Sequence, residues 1–80
     1  MKSQTQILAE LNSIFQSVFK DPSLTVSENT TADDIRGWDS LTHMNLISEI
    51  EKHFGFEFSF AEVMDFQNVG DMVKSIGQKQ

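Results

Sequence analysis

Apolar residues recur every three or four positions near the start of the chain. Ile7, Leu8, Leu11, Ile14, Phe15, Val18 and Phe19 fall on a single stripe, the spacing of an amphipathic helix. Ser3 with Gln6 offers a capping box at its start. Asp21-Pro22 is predicted to end it, because proline disfavours helical geometry in the residue before it. The pattern then breaks: between Asp21 and Trp38 the larger apolar residues are only Leu24, Val26, Ile35 and Trp38, set among Ser, Thr, Asn and Asp. Loops this long are uncommon in small domains unless functional or pinned by their own side chains. Leu24 and Val26 are expected to pin this one, and Asp33-Asp34-Ile35 to form a helical turn.

A second helix is predicted from about Ser40 to His53, with Leu41, Met44, Ile47 and Phe54 on one stripe and Leu46, Ile50 and Phe54 on its neighbour. Gly55 sits where a left-handed cap would close it. Phe56, Phe58 and Phe60 alternate with Gly55, Glu57 and Ser59, which taken alone is a strand pattern. No second strand exists to pair with it, so an extended linker burying phenylalanines is expected instead. Ser59 with Glu62 is a capping box that opens a short third helix through about Phe66. Asn68 caps a fourth helix, whose stripe is Val69, Met72, Val73 and Ile76 and which Gly77 is expected to end. The predicted fold is all-α: a small four-helix bundle of three main helices and one short one, with a long loop between the first and second. Residues 1–80 make one domain without repeats. The starting Met1 and the close fit of chain to domain suggest a free-standing protein.

Composition narrows the chemistry. With 80 residues the core suffices for a bundle but leaves little room for a deep catalytic cleft. There are no cysteines, which removes disulfides, thiol nucleophiles and cysteine-based zinc sites. No segment has the apolar run of a signal peptide or membrane span, so a soluble, cytoplasmic and monomeric protein is expected. Twelve acidic residues against six basic give a net charge of −6, which argues against nucleic acid as a partner. Acidity also keeps small domains soluble, and charge alone does not separate that role from steering toward basic partners.

The informative string is Gly37-Trp38-Asp39-Ser40-Leu41, where the long loop meets the second helix. A serine at a helix start is ordinarily a cap. Here Asp39 can equally cap, which would leave the Ser40 hydroxyl facing solvent at the first helical position. A phosphate joined to that hydroxyl would lie beside free backbone N–H groups and the positive end of the helix dipole.

Gly37 to Leu41 resembles the Gly-x-Asp-Ser-Leu motif of the acyl carrier and peptidyl carrier family, which begins that family's second helix. The order of elements resembles the family too, as do the tracts from Ile50 to Phe58 and from Asn68 to Val73. The resemblance implies a 4'-phosphopantetheine arm, derived from coenzyme A and attached to Ser40 by a Mg²⁺-dependent phosphopantetheinyl transferase. Acyl intermediates would ride on the arm as thioesters and be delivered to acyl-loading and acyl-processing enzymes of fatty acid, polyketide or related secondary-metabolite biosynthesis. The protein would be a carrier without catalysis of its own. Partner docking would fall on Asp39, Leu41, Met44, Asn45 and Glu49; for Leu41 and Met44 inward packing is an equal alternative. Phe54, Phe58, Phe60 and Met64 are candidate walls for an acyl pocket between the second and third helices, against ordinary core positions. The second helix is less acidic than in bacterial fatty-acid-synthesis carriers, mixing Thr42, His43, Asn45 and Lys52 with Glu49 and Glu51. That, with Trp38 before Asp-Ser, points toward a dedicated pathway.

Two other readings compete. A serine hydrolase could pair Ser40 with His43 three residues on, but the nucleophile elbow Gly-x-Ser-x-Gly is absent and a surface histidine is the simpler expectation. His43, Glu49 and His53 lack metal-site spacing. The main alternative is a small helical interaction domain in which Ser40 only caps a helix.

Overall fold

A computed structural model describes all 80 residues. The helices are α1 (Gln4–Val18), α2 (Ser40–Phe54), α3 (Phe60–Asp65) and α4 (Val69–Lys79), with a 3-10 turn at Ala32–Asp34 and no strand. Each α-helix begins on a side-chain cap: Ser3, Asp39, Ser59 and Asn68 accept from the amides of Gln6, Thr42, Glu62 and Asp71. The extended run 56–59 is a linker, as its lack of a pairing partner requires.

α1 turns Ile7, Leu11, Ile14 and Phe15 inward and packs against both α2 and α4. It ends before Asp21-Pro22. Lys20 adopts a left-handed conformation (φ 55°), its amide donates to the Ser17 carbonyl at 3.3 Å, and the Asp21 amide donates to Gln16 at 3.0 Å. These two bonds satisfy carbonyls that the helix end would otherwise leave open, so termination is complete before the proline is reached.

The long loop is pinned by more than Leu24 and Val26. Asn12 on α1 donates from Nδ2 to the Val26 carbonyl (3.1 Å) and accepts from the Val26 amide at Oδ1 (2.7 Å), and Gln16 donates to the Leu24 carbonyl (2.9 Å). Val26 and Ile35 enter the core. At the far end of the loop, the Val69 and Gly70 amides, free at the start of α4, donate to the Thr30 and Glu28 carbonyls at 2.9 and 2.8 Å. The approach is so close that a Cβ on Gly70 would stand 2.9 Å from the Glu28 oxygen.

α2 contributes Leu46, Ile47 and Ile50 to the core, and α4 contributes Val69, Met72, Val73 and Ile76. Burying each such side chain is worth about 1.5–3 kcal/mol, so these stripes supply most of the stabilisation. α3 buries only Val63. It is held to α4 by polar contacts: Glu62 accepts from the Ser75 hydroxyl (2.5 Å) and pairs with Lys79 (2.9 Å). α4 runs through Gly77 to Lys79, two residues beyond the expected end. The last turn is held from outside, by Lys79 on Glu62 and by Gln80, which exchanges hydrogen bonds with the Lys2 backbone at 2.7 and 2.8 Å.

Candidate functional site

The site is built on the first turn of α2. Gly37 takes a left-handed conformation (φ 89°), which a side chain would strain, and turns the loop into the helix. Asp39 then caps. Its Oδ1 accepts from the Thr42 amide at 2.9 Å, while Thr42 Oγ1 accepts from the Asp39 amide at 2.8 Å and donates to the Gly37 carbonyl at 2.7 Å. The Thr42 amide, followed by the Thr42 hydroxyl, holds the Asp39 carboxyl below the usual aspartate range, so it stays ionised as an acceptor. Ser40 is therefore released from capping. It is the first residue of α2, it is exposed, and its hydroxyl makes no hydrogen bond within the protein.

Beside Ser40 a cleft of about 410 Å³ opens between α2 and the segment containing α3. Trp38, His43 and Met44 line one wall; Val63, Met64 and Phe66 line the other. Its surface is mostly apolar, in contrast to the remaining hollows, which are lined largely by polar side chains.

Of the expected pocket residues, Met64 alone reaches this cleft. Phe58 is buried in the core (8% exposed). Phe54 is the last residue of α2, at the opposite end of the helix from Ser40, and it stacks on Phe56. Phe60, expected within a buried linker, is 78% exposed because it opens α3 on the face turned from the core. Asp39, Leu41, Met44, Asn45 and Glu49 all lie in solvent. Leu41 (81%) and Met44 (53%) leave the apolar stripe of α2 uncovered at its first turns, so the inward alternative for them falls. Glu49 stands apart from the rest: nine residues after Ser40 it lies about 180° round the helix, in a hollow with Ser13 and Ser17 of α1.

His43 is more than a surface histidine. Trp38 Nε1, which can only donate, bonds its Nδ1 at 3.1 Å. The hydrogen must then sit on Nε2, which donates to the Val63 carbonyl at 3.3 Å. That carbonyl lies in the last turn of α3, where the helix offers it no donor. With both ring nitrogens engaged, His43 has no lone pair for the Ser40 hydroxyl, and the hydrolase reading loses its base. The loop-to-helix spacing of five residues between Trp38 and His43 was the only sign of this pairing, and the spacing is common.

The fold and site together define a helical bundle that presents an exposed serine at a helix start, next to an apolar cleft. Comparison with known proteins agrees. Residues 9–76 match the family model described as the phosphopantetheine attachment site, and the chain belongs to that family. Among solved structures it is similar to the holo acyl carrier protein from Geobacter metallireducens, with 42% identity, TM-score 0.85, and coverage of 90% of this chain and 83% of that one. It is also similar to a candidate acyl carrier protein from Mycobacterium tuberculosis, with 26% identity, TM-score 0.82, and coverage of 92% and 99%. No curated protein sequence matches. The family is that of the phosphopantetheine attachment domain of acyl carrier proteins, and the arm is its cofactor. No helix of the chain is long and apolar enough to cross a membrane.

Proposed function

We propose that Ser40 carries the 4'-phosphopantetheine arm and that the protein ferries acyl groups as thioesters between biosynthetic enzymes. The observation that carries this reading is the division of labour at α2, where Asp39 caps and Ser40 is left exposed and unbonded. In the attachment step a transferase joins Ser40 Oγ to the phosphorus that bears pantetheine in coenzyme A. The phosphoanhydride bond breaks, 3',5'-ADP leaves, and the transferase accepts the hydroxyl proton. The arm's terminal thiol then supplies the thioester chemistry. The chain's own residues present the arm and catalyse nothing. Both ring nitrogens of His43 are occupied and the Asp39 carboxylate is turned to the Thr42 amide, which supports that division.

The partners are a phosphopantetheinyl transferase and the enzymes that load and process the acyl group. The exposed Leu41 and Met44 beside Ser40 offer them an apolar contact, in which methionine adapts to several surfaces. Charge contributes less to docking through α2, whose exposed face mixes Asn45 and Lys52 with Glu49. This mixture and Trp38 favour a dedicated polyketide or secondary-metabolite route over housekeeping fatty acid synthesis, in a cytoplasmic and monomeric carrier. The reading is tested by incubating wild type and Ser40→Ala with coenzyme A, Mg²⁺ and broad-specificity transferases. A mass gain of one phosphopantetheine in wild type alone is expected; no gain with several transferases would sink the proposal.

A further inference from the structure

The cleft beside Ser40 has a closed back. The Trp38 indole and His43 imidazole stack at 6.0 Å with planes 20° apart, and Trp38 is itself seated edge-on against Phe15 of the core at 5.3 Å. This double plate spans from the loop to α3, where His43 Nε2 holds the Val63 carbonyl. In the core against which Trp38 packs, Leu46, Ile50, Val69 and Met72 are wholly buried (0% exposed), and none of them lines a hollow. The way inward between α2 and α3 therefore passes through the two hydrogen bonds of His43. Opening it would break both bonds and leave the carbonyl of Val63, a residue 6% exposed, without its protein donor, and an acceptor so stranded costs more than the bond itself returned.

We infer that His43, locked between Trp38 and Val63, bars the helical interior, so that a chain carried on Ser40 rests in the surface cleft against Met44 and Met64 and extends into water. The inference rests on Ser40 as the attachment point. It deepens that reading by naming the cargo: short acyl groups, or longer chains whose polar substituents tolerate water, and not long alkyl chains that need burial. The two methionines at the rim, 53% and 66% exposed, have unbranched, adaptable side chains that suit a cargo of varied shape. His43 is here a specificity-determining residue and touches no reacting atom.

The chain contains no cysteine, so Ser40→Cys provides a unique thiol that can be loaded chemically with butyl, octyl or dodecyl methanethiosulfonate, without any transferase. With His43 intact, the three adducts are expected to melt at the same temperature, and nuclear Overhauser contacts from the chain should reach Met44 and Met64 only. In the Ser40→Cys/His43→Ala double variant, Tm should climb from butyl to dodecyl, with new contacts to Leu46 and Ile50. Should that variant fail to fold, Trp38→Phe in its place keeps the ring, removes one of the two bonds and is expected to give a smaller climb in the same direction. Length-dependent melting or contacts to Leu46 and Ile50 with His43 intact would overturn the inference. So would length-independent melting in both opened variants. Because loading is chemical, a missing mass gain with coenzyme A would count against the carrier reading alone.

Discussion

Replacing Asn12 by Ala strips the long loop of its strongest tether to α1. Asn12 forms one bond to the Val26 amide (2.7 Å) and one to the Val26 carbonyl (3.1 Å), and Val26 itself is 3% exposed. Each such bond contributes about 1 kcal/mol net, and a buried group left without a partner costs about 1–3 kcal/mol. Water can reach part of this half-buried site, which trims the sum to about 2–3 kcal/mol. For a domain of this size each kcal/mol moves Tm by about 4–8 °C, so Asn12→Ala should melt about 10–20 °C below wild type. Thermal unfolding followed by circular dichroism at 222 nm reads the shift, and amide exchange locates it: the Val26 amide should lose protection while the α4 amides of Met72 and Val73 keep theirs until global unfolding. Ser13→Ala, an exposed neighbour on the same helix, is the control and should stay within about 0.5 kcal/mol. A shift for Asn12→Ala no larger than the control's, with Val26 still protected, would refute the claim that α1 side chains hold the loop that delivers Ser40.

Lys20→Gly should stabilise the fold by about 0.5–1 kcal/mol, since it relieves a left-handed side-chain residue at some cost in unfolded-state entropy; unchanged denaturant midpoints would contradict the cap described for α1. Gly70→Ala gains about 1 kcal/mol of helix propensity but drives a Cβ to 2.9 Å from the Glu28 backbone, and overpacking of about 1–3 kcal/mol should win; a more stable variant would disprove the close approach. Glu62 is held at about 2, chiefly by the Ser75 hydroxyl and then by the Ser59 amide and Lys79. Its folded pKa lies below the ordinary 4.5, so its stabilisation is present above that value and is lost as pH falls toward about 2. Urea midpoints should therefore fall more steeply with acid for wild type than for Glu62→Gln, and parallel decline would count against the Glu62 fastening of α3.

Much of this could be read from the chain because it depends on neighbours in sequence. Asp39, Ser59 and Asn68 cap helices through amides three residues away, and the stripes of α1 and α4 follow directly from helical spacing. The misplaced features depend on contacts between distant segments. Gly77 would end an isolated helix, yet Lys79 and Gln80 find Glu62 and Lys2 and carry α4 past it. Phe60 is a local exception: the alternation of Phe56, Phe58 and Phe60 suggests equal burial, but the Ser59 cap, itself readable in the sequence, starts a new helix there and leaves Phe60 outside. At the site, the exposure of Ser40 and the Asp39 cap were legible. The closed back of the cleft was not, because it needs a histidine of α2 to meet an indole from the loop and a carbonyl left open by a short helix. Asn12 escaped for the same reason: a polar residue on the flank of an amphipathic helix reads as solvated until the loop folds over it.

The central claim is that Ser40, and no other hydroxyl, accepts the arm. Fragmentation mass spectrometry of the protein after reaction with coenzyme A, Mg²⁺ and a transferase tests it most directly. The account predicts one phosphopantetheine, carried on the Ser40 residue of the Gly37–Leu41 segment and absent from Ser40→Ala. An unmodified chain, or an arm found on another serine or threonine, would contradict it.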